Sequence, residues 1–111
     1  HEPVLFCCKG KRYNWHGPNN EVTVWEIKRA AKNEYHSTQK PVELVERALH
    51  NSSLINYNIL DLFGGSGSTM IACEKLKRRC FMMEIDPKYC DVIIARWEEF
   101  SGRAASRSGE E

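Results

Sequence analysis

No stretch of this chain of 111 residues approaches the roughly 18 consecutive apolar residues of a membrane-spanning helix, and its start does not read as a signal peptide. A strong charge of one sign is also missing, since 16 Lys plus Arg against 15 Asp plus Glu leave +1. That balance neither requires nor excludes a polyanionic partner. The cysteines are Cys7, Cys8, Cys73, Cys80 and Cys90. Their odd number and the lack of a CxxC pair argue against a disulfide framework and against structural zinc. The expectation is a soluble protein of the reducing cytoplasm with no membrane partner. Apolar residues make up 41% of the chain, enough for one domain with a modest core.

The chain opens at His1 on the threshold of a strand-like phrase, Pro3-Val4-Leu5-Phe6-Cys7-Cys8, as a fragment would. Residues 4–8 read as one strand. Residues 9–20 are polar and carry Gly10, Gly17 and Pro18, the composition of a hairpin or long loop. Residues 21–27 alternate through Val22 and Val24 as a short strand, and residues 29–39 have no clear period. A helix is expected over 41–51, with Thr38 or Lys40 near its start and Pro41 tolerated in the first turn. Leu44, Val45, Ala48 and Leu49 form its buried stripe. Then come a strand over 59–63, a turn over 64–67, a helix over 68–77, a strand over 80–85 and a helix over 87–100. In the last helix Tyr89, Val92, Ile93, Trp97 and Phe100 share a face. Residues 1–100 thus form one domain, and the polar tail 101–111 is expected to be flexible. So thin a sheet suggests absent elements or a partner chain.

The densest signal lies in the run Asp61-Leu62-Phe63-Gly64-Gly65-Ser66-Gly67-Ser68-Thr69. An apolar strand enters a glycine turn and a helix follows at once. Glycines let the backbone turn sharply and approach a ligand with no Cβ in the way, and the helix start presents unpaired N–H groups. The next strand ends in Glu84, about twenty residues after the turn, where an acid can accept the two hydroxyls of a ribose. Asp61 can meet a ligand ammonium or an ordered water. A dinucleotide fingerprint would carry a third glycine at position 70, which is Met70, and a P-loop would carry a lysine in the turn, which has none. NAD and ATP both lose ground.

This run resembles the S-adenosylmethionine motif of DNA amino methyltransferases, which modify adenine N6 or cytosine N4. Leu62 stands where the family usually has proline, and Ser68 where it has the first of two threonines. His36-Ser37-Thr38-Gln39-Lys40-Pro41 resembles a second hallmark, usually His-Pro-Thr-Gln-Lys-Pro. It precedes the glycine turn, as in the circularly permuted beta-type subgroup. The resemblance covers roughly residues 1–100. It implies an α/β chain with a partial Rossmann-like methyltransferase fold, a three-layer sandwich around a mostly parallel sheet, of phage, bacterial or archaeal origin. The implied cofactor is S-adenosylmethionine. By resemblance His36, Thr38, Gln39 and Lys40 line the methionine end or mouth of its pocket. Asp61 and Phe63 flank it, and Gly64, Gly65, Ser66 and Gly67 pass close to it, with Thr69 beyond. Glu84 holds the ribose and Ile85 packs on the adenine.

The family also needs an Asp/Ser/Asn-Pro-Pro-Tyr/Phe/Trp loop, whose polar groups accept from the target amino group while its aromatic ring stacks on the flipped base. No two of Pro3, Pro18, Pro41 and Pro87 are adjacent. In the beta-type order that loop lies before residue 1, so no catalytic residue is assigned. Asp86-Pro87-Lys88-Tyr89 only mimics it, because it begins the last helix directly after Glu84. The expectation is a C-terminal portion of a site-specific DNA methyltransferase, inactive alone, whose intact form binds double-stranded DNA. An open sheet edge should pair it with another copy as a homo-oligomer. Trp15 with Lys11, Arg12 and His16 reads either as a DNA contact or as an exposed loop without a role. The competing reading of the whole chain is a noncatalytic nucleotide-binding or assembly module left from a broken methylase gene, with an oxidoreductase a distant third.

Overall fold

The computed structural model describes residues 1–10, 15–29 and 39–109, and within them five regular elements follow one another. Helix α1 spans Val42–Ser52, strand β1 Asn58–Asp61, helix α2 Ser68–Leu76, strand β2 Arg79–Met82 and helix α3 Pro87–Ser101. The two strands pair in parallel, Asn58 opposite Arg79 through Asp61 opposite Met82. Parallel strands need a crossover, and α2 supplies it. The result is a small parallel sheet flanked by helices, a partial Rossmann-like α/β fold.

Period-2 alternation decides what each strand face meets. Ile59 and Cys80 face the helices and pack against a core of Leu49, Ala72 and Cys73, together with Val42, Val45 and Leu76. Leu60 and Phe81 point the other way and remain 66% and 55% exposed. Parallel sheets are ordinarily covered on both faces. Here the described residues cover one.

Helix α1 begins one residue later than the sequence suggests, because Pro41 keeps an extended ψ of 136° and only its carbonyl joins the helix, accepting from Leu44 N–H. It ends where the Ser53 hydroxyl and N–H both donate to the Leu49 carbonyl, at 2.7 and 2.9 Å. Lys75 on α2 pairs with Glu46 on α1 at 2.8 Å. Arg78 closes α2, donating to the carbonyls of Leu76 at 2.8 Å and Ser53 at 2.9 Å. The cations at this helix end therefore serve the fold, in line with their favourable placement at a C-terminus. Helix α3 starts with Pro87 in its first turn and Asp86 as cap, whose carboxylate accepts from Lys88 N–H at 2.9 Å. The proline-containing tetrapeptide is thus a helix start.

Several expectations are corrected. Residues 4–8 and 21–27 are not strands, because a strand requires a ladder and no described neighbour offers one. Val4, Leu5, Val22 and Val24 are exposed accordingly. The second segment is held by local bonds instead, Val22 N–H to the Glu21 carboxylate and the Trp25 indole to the Val22 carbonyl. Strand β1 stops at Asp61, short of residue 63, because the Asp61 side chain accepts from Phe63 N–H at 3.0 Å and bends the chain. Strand β2 stops at Met82, short of residue 85, as the chain turns toward the Asp86 cap. On α3 Ile93 is buried as expected, whereas Phe100 is exposed. Trp97 is half-buried, with its indole donating to Glu74 at 3.1 Å.

The first part of the described chain packs through polar and aromatic contacts on α1. Arg47 donates to both carboxylate oxygens of Glu21, Asn51 adds a third bond at 3.0 Å, and the guanidinium lies 4.8 Å from the Trp25 ring centre. These bonds hold the Glu21 carboxyl down at about 2, the Arg47 bond first and the Asn51 bond second. Trp15 is half-buried against Phe6, and His16 against Tyr57, so neither sits in an exposed loop. Lys11 and Arg12 lie outside the described residues. No described helix is long and apolar enough to cross a membrane, and no described cluster of His, Cys, Asp and Glu could hold a metal ion.

Candidate functional site

The carboxyl ends of β1 and β2 open into a cleft of about 430 Å³. That is the usual place for a ligand in an open α/β sheet and within the size range of small-molecule sites. Its floor is the glycine turn. A Cβ on Gly64 would come within 2.7 Å of two Met82 side-chain atoms, so a larger residue there would have to displace the Met82 side chain. Gly67 sits at φ +90° as the N-cap of α2, a left-handed conformation that favours glycine. Gly67 has no side chain to cap α2, so the first N–H groups of the helix are placed to meet a ligand.

Glu84 closes the turn from the opposite strand end. One carboxylate oxygen accepts from Gly65 N–H at 2.6 Å and the other from Asp86 N–H at 3.2 Å. A carboxylate has about four lone-pair positions, so each oxygen retains capacity for a further donor. Asp61 lies on the neighbouring strand end, oriented by its bond from Phe63 N–H. Phe63 and Ile85 flank the cleft almost fully exposed, at 87% and 97%, apolar surfaces with open faces. Gln39 also lines the cleft, and its side-chain carbonyl oxygen is buried with no hydrogen-bond partner among the described residues. Buried acceptors are normally satisfied, so an orphan in a cleft points to a donor from a ligand or from water.

Of the thirteen positions singled out from the sequence, ten line this cleft: Gln39, Lys40, Asp61, Phe63, Gly64, Gly65, Ser66, Thr69, Glu84 and Ile85. Gly67 does not line it. A Cβ there would face Ile93 of α3 at 3.2 Å, so its role is to let turn and helix approach. His36 and Thr38 lie outside the described residues. Lys40 pairs with Glu2 at 2.6 Å, and that cation holds the Glu2 carboxyl below its ordinary value.

Three residues were not singled out for the site, and a fourth, Ser68, reads only as a capping hydroxyl of the glycine-turn motif. Val45 and Leu62 line the cleft but read as plain packing and strand positions. Ser68 lines it as well, and its hydroxyl donates to the Lys40 carbonyl at 2.6 Å, tying α2 to the Lys40 segment. Arg96, on α3, donates to the Ser66 carbonyl at 3.2 Å and to the hydroxyls of Ser66 and Ser68 at 3.4 and 3.3 Å. Nothing in the local sequence signals Arg96, because its partners lie about thirty positions away.

The profile of the DNA methylase family matches residues 1–96. Among curated proteins, the chain is 32% identical to the type II methyltransferase M.HinfI of Haemophilus influenzae over 89% of its own length and 33% of that protein. It is 33% identical to M.HpaI of Haemophilus parainfluenzae over 75% of its length and 28% of that protein. It therefore spans about a third of the length of these relatives. Among solved structures it resembles the M1.HpyAVI–SAM complex, with a TM-score of 0.65 and 27% identity, covering 77% of this chain and 44% of that one. A putative DNA modification methylase of Thermus thermophilus complexed with S-adenosyl-L-methionine gives a TM-score of 0.53 at 33% identity, covering 55% and 25%.

Proposed function

The chain belongs to the DNA methylase family, and from that premise we propose that its cleft binds S-adenosylmethionine as the C-terminal, cofactor-binding portion of a beta-type, site-specific DNA amino methyltransferase. The observation that carries this reading is Glu84, with Gly65 N–H on its carboxylate at 2.6 Å and the unsatisfied buried carbonyl of Gln39 in another wall of the same cleft. An acid at the end of the second strand suits two ribose hydroxyls. Ile85 offers its open face to an adenine ring. Gln39 and Asp61 supply acceptors for an ammonium group, and the uncapped start of α2 offers N–H groups to a carboxylate. The cofactor, when bound, supplies an electrophilic methyl group on sulfonium sulfur. This chain's residues hold it and fix its orientation.

The methyl acceptor in this reading is the exocyclic amino group of adenine or cytosine in double-stranded DNA. The prolines of this chain offer no Pro-Pro loop to accept from that amino group, so in this reading methylation belongs to the intact protein and cofactor binding to this portion. Leu60 and Phe81 lie exposed on one sheet face, and β1 and β2 each have one unpaired edge among the described residues, which supports self-association in the absence of covering elements. Five free cysteines suit a reducing cytoplasm. The test is calorimetric titration of the purified chain with S-adenosylhomocysteine, with Glu84→Ala as control. Saturable binding that the substitution weakens supports the cofactor site, and a folded chain that binds nothing refutes it for the isolated portion.

A further inference from the structure

Ser66 and Ser68 are both buried, at 4% and 6% exposure, and both stand in the glycine turn or at its exit. Buried hydroxyls and carbonyls need partners. A single nitrogen, Arg96 Nη1, reaches the Ser66 carbonyl and both hydroxyls, all within 3.4 Å. The Ser68 hydroxyl in turn donates a hydrogen bond to the Lys40 carbonyl at 2.6 Å. One side chain of α3 therefore reaches the turn, the start of α2 and, through Ser68, the Gln39–Lys40 wall. Ile93, three positions earlier on the same helix face, packs on the same turn, 3.2 Å from where a Cβ of Gly67 would stand. Packing and charge-assisted bonding act on one spot.

We propose that Arg96 is a positioning residue for the cleft, holding the glycine turn and, through Ser68, the Gln39–Lys40 wall at the separation the ligand requires. The claim rests on the cofactor reading for its ligand but not for its geometry. The guanidinium does not line the cleft. It acts by denying the turn the freedom to move away from Glu84.

The experiment uses the full chain, with Arg96→Met to remove the donors while keeping the apolar stem, Arg96→Lys to restore a multi-donor cation, and Ser68→Ala to cut the relay. Two quantities are read: amide hydrogen exchange by NMR without ligand, and affinity for S-adenosylhomocysteine. Loss of a charge-assisted bond should speed exchange at Gly65 and Gly67 by about tenfold and weaken the ligand by about the same factor. The amides of Ile59, Ala72 and Cys73 should keep their protection. Because one nitrogen serves all three acceptors, Arg96→Lys should return both readings to within about threefold. Ser68→Ala should add little in the Arg96→Met background, since the two act in series.

Unchanged exchange at Gly65 and Gly67 in Arg96→Met overturns the proposal, and so does a uniform loss of protection that lysine does not repair. Should Arg96→Met fail to fold, Ser68→Ala alone decides: faster exchange at Gly67 supports the relay, and unchanged exchange refutes it. If the unsubstituted chain does not bind S-adenosylhomocysteine, the cofactor reading fails, and the exchange pattern still decides whether Arg96 holds the turn.

Discussion

Glu84 is the residue whose substitution tests the site most directly. Both its carboxylate oxygens already accept a backbone N–H, from Gly65 at 2.6 Å and Asp86 at 3.2 Å. These bonds aim the free lone pairs, so two ligand hydroxyls meet an oriented acceptor at little ordering cost. Hydrogen bonds to a charged group contribute about 1.5–3 kcal/mol each, before allowance for water taking the place of the lost group. Glu84→Ala should then cost about 2–4 kcal/mol of binding, a fall of about 30-fold to several-hundred-fold in affinity. The same substitution frees two backbone donors at the rim of the fold, which should cost about 1–2 kcal/mol of stability. Calorimetry with S-adenosylhomocysteine gives the first quantity and thermal melting the second, so the two effects separate. Glu84→Gln, which keeps one carbonyl acceptor, should fall between the parent and the alanine variant. An alanine variant that binds within about threefold of the parent would show that the carboxylate does not hold the ribose.

The Glu21 carboxyl, held at about 2 against an ordinary 4.5 by Arg47 and Asn51, makes the early segment acid-labile. A depressed pKa contributes stability above the unfolded value and loses it as pH falls through the folded one. Tryptophan fluorescence should therefore report release of Trp25 between pH 4.5 and 2, and Glu21→Gln should abolish that transition while weakening the segment at neutral pH. Gly67→Ala should destabilise the chain by about 1–2 kcal/mol, since a Cβ at φ +90° is strained and meets Ile93 at 3.2 Å. Chemical denaturation measures it, and an unchanged midpoint would show that the turn can rearrange. On the proposed self-association, replacing the exposed Leu60 and Phe81 by lysine should lower the mass seen in light scattering, with melting nearly unchanged. Persistent association would place the contact elsewhere.

By itself the sequence determined the order and kind of the core elements. The five helices and strands from Val42 onward appear with every end within three residues of its expected place, because apolar periodicity, Pro41, Pro87 and the glycine turn are local signals. Most of the cleft was legible for the same reason: Asp61, the turn and Glu84 lie within one strand–turn–helix–strand unit whose geometry the chain fixes locally. The early strands failed because Val4 to Cys8 and Val22 to Val24 carry strand-like side chains, while a ladder depends on a neighbour that no local pattern supplies. Tertiary structure alone decided that Arg47 and Asn51 would seize Glu21, and that Ser68 would reach the Lys40 carbonyl. It also brought Arg96 to a turn about thirty positions away. Such bonds join residues whose separation along the chain carries no period. They exist only once burial has brought the helices together and left polar groups that need partners.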